Sequence, residues 1–181
     1  GIAYDANSYV VTVKVTKGTQ GFLVAEQATD GDGATLPVFR NEYQTSDATA
    51  TIQGVKLLEG RDIKDGEFTF NLIEVDGETH EPLEDAKIVS VTNKKDGSFE
   101  FPLSYTQDVF GNQPFDDDGA KRTKQFFYRL WEEAGAEKSM TYDDATYLVT
   151  VTLVDNGAGA LTAEVSYDLA NGERPVFKNA Y

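Results

Sequence analysis

The sequence predicts an all-β protein, an antiparallel, Ig-like β-sandwich organised as a tandem repeat unit of about 138 residues. Three observations predict it. Short stretches rich in Val, Thr, Phe and Tyr alternate with period two along most of the chain. Turn residues such as "VDGE", "KKDGS" and "DNGAG" separate them. The chain also repeats itself: residues 2–43 fall without a gap on residues 140–181.

In chain order the expected strands are "YVVTVKV" (9–15), "ATIQGVKLL" (50–58), "EFTFNLIEV" (67–75), "KIVSVT" (87–92), "SFEFPLSY" (98–105), "QFFYRLWEE" (125–133), "TYLVTVTLV" (146–154) and "LTAEVSY" (161–167). One helical turn is arguable only in "YRLWEEAGAEK" (128–138). The repeat aligns Tyr4 with Tyr142, Asp5 with Asp143, Tyr9 with Tyr147, Pro37 with Pro175, Asn41 with Asn179 and Tyr43 with Tyr181. Residues 1–43 therefore read as the C-terminal third of a preceding repeat, 44–50 ("QTSDATA") as a polar joint, and 51–181 as one complete domain. Gly1 begins mid-pattern, so the chain is expected to be a piece of something longer.

Alternation divides each strand into two faces, and three strands carry a polar residue on the apolar one. Lys56 shares its face with Ile52, Gly54 and Leu58. Glu132 shares its face with Phe126, Tyr128 and Leu130, although Glu133 leaves a one-residue ambiguity if the strand bulges. Asn179 stands between Phe177 and Tyr181, with Pro175 on the same side. Burying Lys or Glu is costly unless the two are paired.

The trio suits one reaction. Burial favours a neutral amine on Lys56 and a protonated Glu132. A neutral amine is a nucleophile, and the Asn179 amide offers an electrophilic carbonyl. Glu132 would be the catalytic group that polarises that carbonyl, moves a proton and helps ammonia leave. The product is an intramolecular Lys–Asn amide, made once. The residues alone equally allow a snorkelling Lys56, an edge Glu132 and a turn-forming Asn179. Asn41 is a second possible acceptor, either for a lysine outside this segment or in competition for Lys56.

Composition excludes much else. With 16 basic against 31 acidic residues the formal charge is −15, so phosphate backbones and anionic lipid surfaces are repelled, and neither nucleic acid nor membrane insertion is expected. No cysteine and one histidine, His80, leave little for thiolate, zinc or triad chemistry, and no cofactor is called for. The loops "TDGDGAT" (29–35) and "FDDDGA" (115–120) carry oxygen ligands without the spacing of a calcium loop, so no metal site is expected. Trp131 and Phe127, on the face opposite Glu132, suggest a sugar-stacking platform or a pair packed beneath a loop. The acidic, amide-rich loop 110–124 is the other candidate ligand surface.

The stretches "VKLLEGRDIKDGEFTFNL" (55–72), "FFYRLWEE" (126–133), "YDDATYLVTVTLVDNGAGALTAEV" (142–165) and "PVFKNAY" (175–181) resemble the pilin isopeptide linkage domain. That domain is the repeated module of streptococcal T-antigen-type major pilins and related Gram-positive surface proteins. The resemblance covers residues 50–181, and 1–43 resembles its last third; the 110–124 loop has no place in it. It implies Lys56 as the bond-forming lysine ahead of "L-x-G-R", Glu132 as the catalytic acid closing "Y-x-L-x-E", and Asn179 as the acceptor in "F-x-N-x-Y". Phe177, Tyr181, Tyr128 and Leu130 are expected as apolar walls. The implied role is a non-enzymatic stalk or shaft module of an extracellular, cell-wall-bound pilus or adhesin, partnered by other domains or subunits of the same fibre. The alternative is an adhesin module that binds a carbohydrate or host ligand.

Overall fold

A computed structural model of the chain describes residues 1–27, 37–116, 119 and 121–181. The 29–35 loop lies outside the described residues, as do Asp117, Asp118 and Ala120 of the second acidic loop. Two compact units emerge, Ile2–Gln44 and Thr45–Tyr181 with Gly1.

The first unit holds β1 (Ile2–Ala3), β2 (Val13–Lys17), β3 (Leu23–Gln27) and β4 (Glu42–Tyr43). β1 pairs antiparallel with β4, and β2 with β3. Its apolar side chains find little cover within the unit. Phe39 is 59% exposed, whereas its repeat equivalent Phe177 is fully buried. Val11, Val13, Val15 and Leu23 are likewise exposed, and their equivalents Val149, Val151, Leu153 and Leu161 are core residues.

The second unit holds β5 (Ala48–Glu59), β6 (Thr69–Val75), β7 (Val89–Thr92), β8 (Ser98–Tyr105), β9 (Arg122–Glu132), β10 (Thr146–Asp155), β11 (Leu161–Tyr167) and β12 (Val176–Ala180). β5 begins inside the stretch expected as a joint, because Ala48 and Ala50 already turn into the core. A five-stranded sheet in the order β11-β10-β9-β6-β7 faces a three-stranded sheet in the order β12-β5-β8. Inner side chains of both sheets make one core, centred where Phe70 of β6 stacks on Phe99 of β8 at 3.7 Å. The architecture is an all-β, two-sheet sandwich.

Two details sharpen the expected sandwich. Among the described residues pairing is antiparallel except at one place: β12 runs parallel to β5, with Phe177 opposite Lys56 and Asn179 opposite Leu58. Alternation reveals faces but not neighbours, so this pairing was not readable. The helical turn at 128–138 does not form, because β9 continues through Glu132, paired to β10 and β6. The β5 face needs a small residue at Gly54, where a Cβ would meet the Phe99 ring at 2.2 Å. That glycine lets the aromatic stack approach the backbone two residues from Lys56.

Candidate functional site

Lys56, Glu132 and Asn179 meet at one end of the core. β5 turns Lys56 inward because Ile52, Gly54 and Lys56 fall on its buried alternation. β12, lying beside β5, turns Phe177 and Asn179 to the same side. Lys56 and Asn179 are therefore diagonal neighbours on adjacent strands of one sheet. Glu132 comes from the opposite sheet, where β9 carries it opposite Phe70 without a bulge, leaving Glu133 exposed. Relative exposures of 1% for Lys56, 6% for Glu132 and 1% for Asn179 make this a dry site.

Glu132 touches both partners. Its Oε2 lies 2.6 Å from Lys56 Nζ, and its Oε1 accepts from Asn179 Nδ2 at 2.6 Å. Asn179 Oδ1 accepts the backbone N–H of Asp143 at 2.8 Å. The amide orientation sets which atom each neighbour faces. Glu132 addresses the amide nitrogen, while the carbonyl oxygen belongs to Asp143, whose rigid backbone donor can face only an acceptor.

Burial dominates the electrostatics. It lowers Lys56 below the ordinary 10.5, against the hydrogen bond and charge of Glu132 and the charge of Asp143. It raises Glu132 above the ordinary 4.5, against the hydrogen bonds from Lys56 and Asn179. Both shifts favour a neutral amine beside a protonated carboxyl.

The walls are partly those expected. Phe177 is fully buried and packs on Phe70 at 5.3 Å and Tyr147 at 5.1 Å. Leu130 is fully buried one alternation from Glu132. Tyr128 is buried but lies about 13 Å along the strand from Glu132, where its hydroxyl meets that of Tyr105 at 2.9 Å. It lines the core rather than the site. Tyr181 is no wall at all. It stands 54% exposed, because β12 ends at Ala180, and its ring lies under the Arg61 guanidinium at 4.7 Å. Phe68 takes that part, its ring 4.7 Å from Lys56 Nζ. It precedes β6 by one residue yet keeps the inward alternation of Phe70 and Leu72, as its place in the expected 67–75 strand implies.

Asn41 is held much as Asn179 is. Its Oδ1 accepts the Asp5 N–H at 3.1 Å, and Tyr9 donates its hydroxyl hydrogen to the Val38 carbonyl at 2.9 Å, as Tyr147 does to Val176. Asn41 is exposed, and within the described residues of its unit no lysine or glutamate side chain bonds to it.

Phe127 sits under the 76–80 turn, where a Cβ on Gly77 would meet its ring at 2.5 Å. Trp131 alone lines a shallow depression of about 360 Å³ with Ile73, Pro82 and Ile88. In the 110–124 loop, Arg122 lies over Phe110 at 4.6 Å and Phe115 at 4.8 Å and pairs with Asp155 at 3.0 Å. His80 is exposed at φ 58°. Among the described residues no helix is long and apolar enough to cross a membrane, and no group of three His, Cys, Asp or Glu is placed to hold a metal.

A family model described as a Spy0128-like isopeptide containing domain (FctA) matches residues 1–44 and 52–181. Among solved structures, the major pilin from Streptococcus pyogenes is similar at 18% identity and a TM-score of 0.40, over 74% of this chain and 50% of that one. The T-13 major pilin protein of Streptococcus pyogenes is similar at 16% identity and a TM-score of 0.36, over 76% of this chain and 54% of that one. The chain thus spans about half the length of these pilins. No curated protein matches it.

Proposed function

Because the chain belongs to the FctA family of Spy0128-like isopeptide containing domains, we propose that it is a shaft or stalk module of an extracellular, cell-wall-bound fibre, locked by a Lys56–Asn179 amide. The observation that carries this reading is Glu132 bonded at once to the nucleophile's nitrogen and the leaving group's nitrogen. Its partners are other domains or subunits of the same fibre. The module is no turnover enzyme, since the reaction consumes its own side chains.

The chemistry is a transamidation. Lys56 Nζ attacks Asn179 Cγ and forms a tetrahedral intermediate. One proton leaves Nζ toward Glu132 Oε2, and one passes from Glu132 Oε1 to Nδ2, which departs as ammonia. The Cγ–Nδ2 bond breaks, the Cγ–Nζ bond remains, and Glu132 ends in the protonation state in which it began. Holding both groups in place replaces an encounter in solution with a very large effective concentration. Residues 1–43 are then the closing third of a preceding repeat. Asn41 is its acceptor, awaiting a lysine and an acid from the strands that complete that unit.

Intact mass tests the reading. The wild-type chain should fall short of its sequence mass by one ammonia, and Lys56→Met, Glu132→Ala and Asn179→Ala should each restore the full mass. Peptide mapping should join the segment holding Lys56 to that holding Asn179. A wild-type chain at full mass ends the proposal.

The pH dependence has a definite sign when the bond is blocked. In Asn179→Ala the raised Glu132 contributes stability at acid pH that is lost as pH climbs from 4.5 toward the folded-state value. The lowered Lys56 contributes stability at alkaline pH that is lost as pH falls from 10.5 toward its folded-state value. Relative to Asn179→Ala carrying Lys56→Met and Glu132→Gln, Asn179→Ala should therefore be least stable between those limits and recover toward both ends. Urea unfolding across pH checks this, and a maximum at neutral pH would contradict it.

A further inference from the structure

Asp143 is the second residue hydrogen-bonded to the Asn179 amide among the described residues, and its side chain is tied down on two sides. Its Oδ2 accepts the Lys178 backbone N–H at 2.6 Å, and its Oδ1 accepts the Ala145 N–H at 2.9 Å. The first bond fastens the loop to the residue beside Asn179, and the second closes a turn within the loop. Between them they fix the direction of the Asp143 N–H, which ends 2.8 Å from Asn179 Oδ1. That is the distance required of a donor to a developing oxyanion.

Building on the cross-linking reading above, we propose that Asp143 is a positioning residue for amide formation. Its carboxylate aims its own backbone N–H at Asn179 Oδ1, which steadies the oxyanion of the tetrahedral intermediate and keeps the amide nitrogen turned toward Glu132. With the amide reversed, the N–H would face an NH₂ group, and neither Glu132 oxygen would be placed to send a proton to the leaving nitrogen.

The first unit supplies an independent copy of the device. Asp5 N–H reaches Asn41 Oδ1 at 3.1 Å, Asp5 Oδ2 accepts Arg40 N–H at 2.8 Å, and Asp5 Oδ1 accepts Asn7 N–H at 2.8 Å. The flanking residues differ (Asn7 and Arg40 against Ala145 and Lys178) and the setting is exposed, yet the three bonds are the same. In both units the aspartate stands 36 residues before the asparagine. An arrangement that forms without a lysine or acid opposite it is built into the acceptor loop itself.

The test follows ammonia loss by intact mass as newly synthesised, still unlinked chain folds. Asp143→Ala should slow the reaction by roughly 100-fold, the scale of a lost oxyanion donor. Asp143→Asn, whose one carbonyl oxygen still accepts an N–H, should recover at least about tenfold of that. The second reading needs no reaction: in Lys56→Met, the Asn179 side-chain ¹³Cγ resonance should move upfield on adding Asp143→Ala and move back with Asp143→Asn. A reaction as fast in Asp143→Ala as in wild type overturns the inference. So does a slowed reaction with an unmoved ¹³Cγ resonance, which marks a merely structural residue, or no recovery in Asp143→Asn. A wild-type chain that loses no ammonia removes the cross-link and this role together, whereas a wild-type chain that cross-links with Asp143→Ala keeping pace removes this role alone. If Asp143→Ala does not fold, Asp143→Asn decides by the same two readings, with an intermediate rate and a partial shift expected.

Discussion

Lys56→Met should melt roughly 15–20 °C below the wild-type chain, the shift that about 5 kcal/mol produces in a unit of this size. The estimate comes from the unfolded state. An amide between Lys56 and Asn179 closes a loop of roughly 120 residues, and a cross-link of that span removes on the order of 5 kcal/mol of chain entropy from the denatured ensemble. Asn179→Ala and Glu132→Ala should give drops of similar size, since each removes the same bond, and Lys56→Met with Asn179→Ala should fall little further than either alone. Additive losses in that pair would mean two independent packing effects and would argue against a shared bond. Lys56→Met is the mildest of the set. A protonated Glu132 keeps its contact with Asn179, and the thioether fills the lysine's path past Phe68. Thermal unfolding of chains already weighed by intact mass makes the comparison.

The site was legible in the sequence to the extent that strand alternation reaches. Period two is exact along a paired strand, so Lys56, Glu132 and Asn179 could be placed on inner faces with no knowledge of which strands adjoin. The same rule separates Glu132 from Glu133 once β9 is seen to pair with β6 without a bulge. It failed where the ladder stops. Tyr181 follows Asn179 by two positions, but β12 closes at Ala180 and nothing turns that ring inward. Phe68 alternates with Phe70 and Leu72, so its inward face was legible, but that it would stand against Lys56 depends on how the two sheets oppose each other. The parallel seating of β12 against β5 depends on sheet order, which side-chain patterning does not encode.

Asp143 shows a different limit. Its contact with the amide runs through a backbone N–H, which every residue but proline carries, so no side-chain chemistry announced it. The trace that existed was positional. Tyr-Asp recurs at 4–5 and 142–143, at one distance from an asparagine that also recurs. Two loops of different sequence keep one aspartate at a set distance from one asparagine, and the folded loops show why: the backbone N–H of the first meets the side-chain oxygen of the second.

The proposed bond has its largest consequence under force. β5 and β12 are parallel neighbours, so tension applied at Thr45 and Tyr181 pulls them past each other in shear. The Lys56–Asn179 amide would lie across that seam. Tension would then enter at Thr45, cross from Lys56 to Asn179 and leave through Tyr181, bypassing the roughly 120 residues in between. Stretching the unlinked Lys56→Met chain should release the whole unit, on the order of 450 Å of extended chain, whereas the linked chain should yield no more than about 50 Å from its two ends. Single-molecule extension between handles at the two ends of the unit separates these outcomes. A linked chain that lengthens by several hundred ångströms would show that the covalent path lies elsewhere. A short extension in the linked chain with a full one in Lys56→Met would identify this bond as the tether, and would explain why the lysine and the asparagine belong to the first and last strands of the unit.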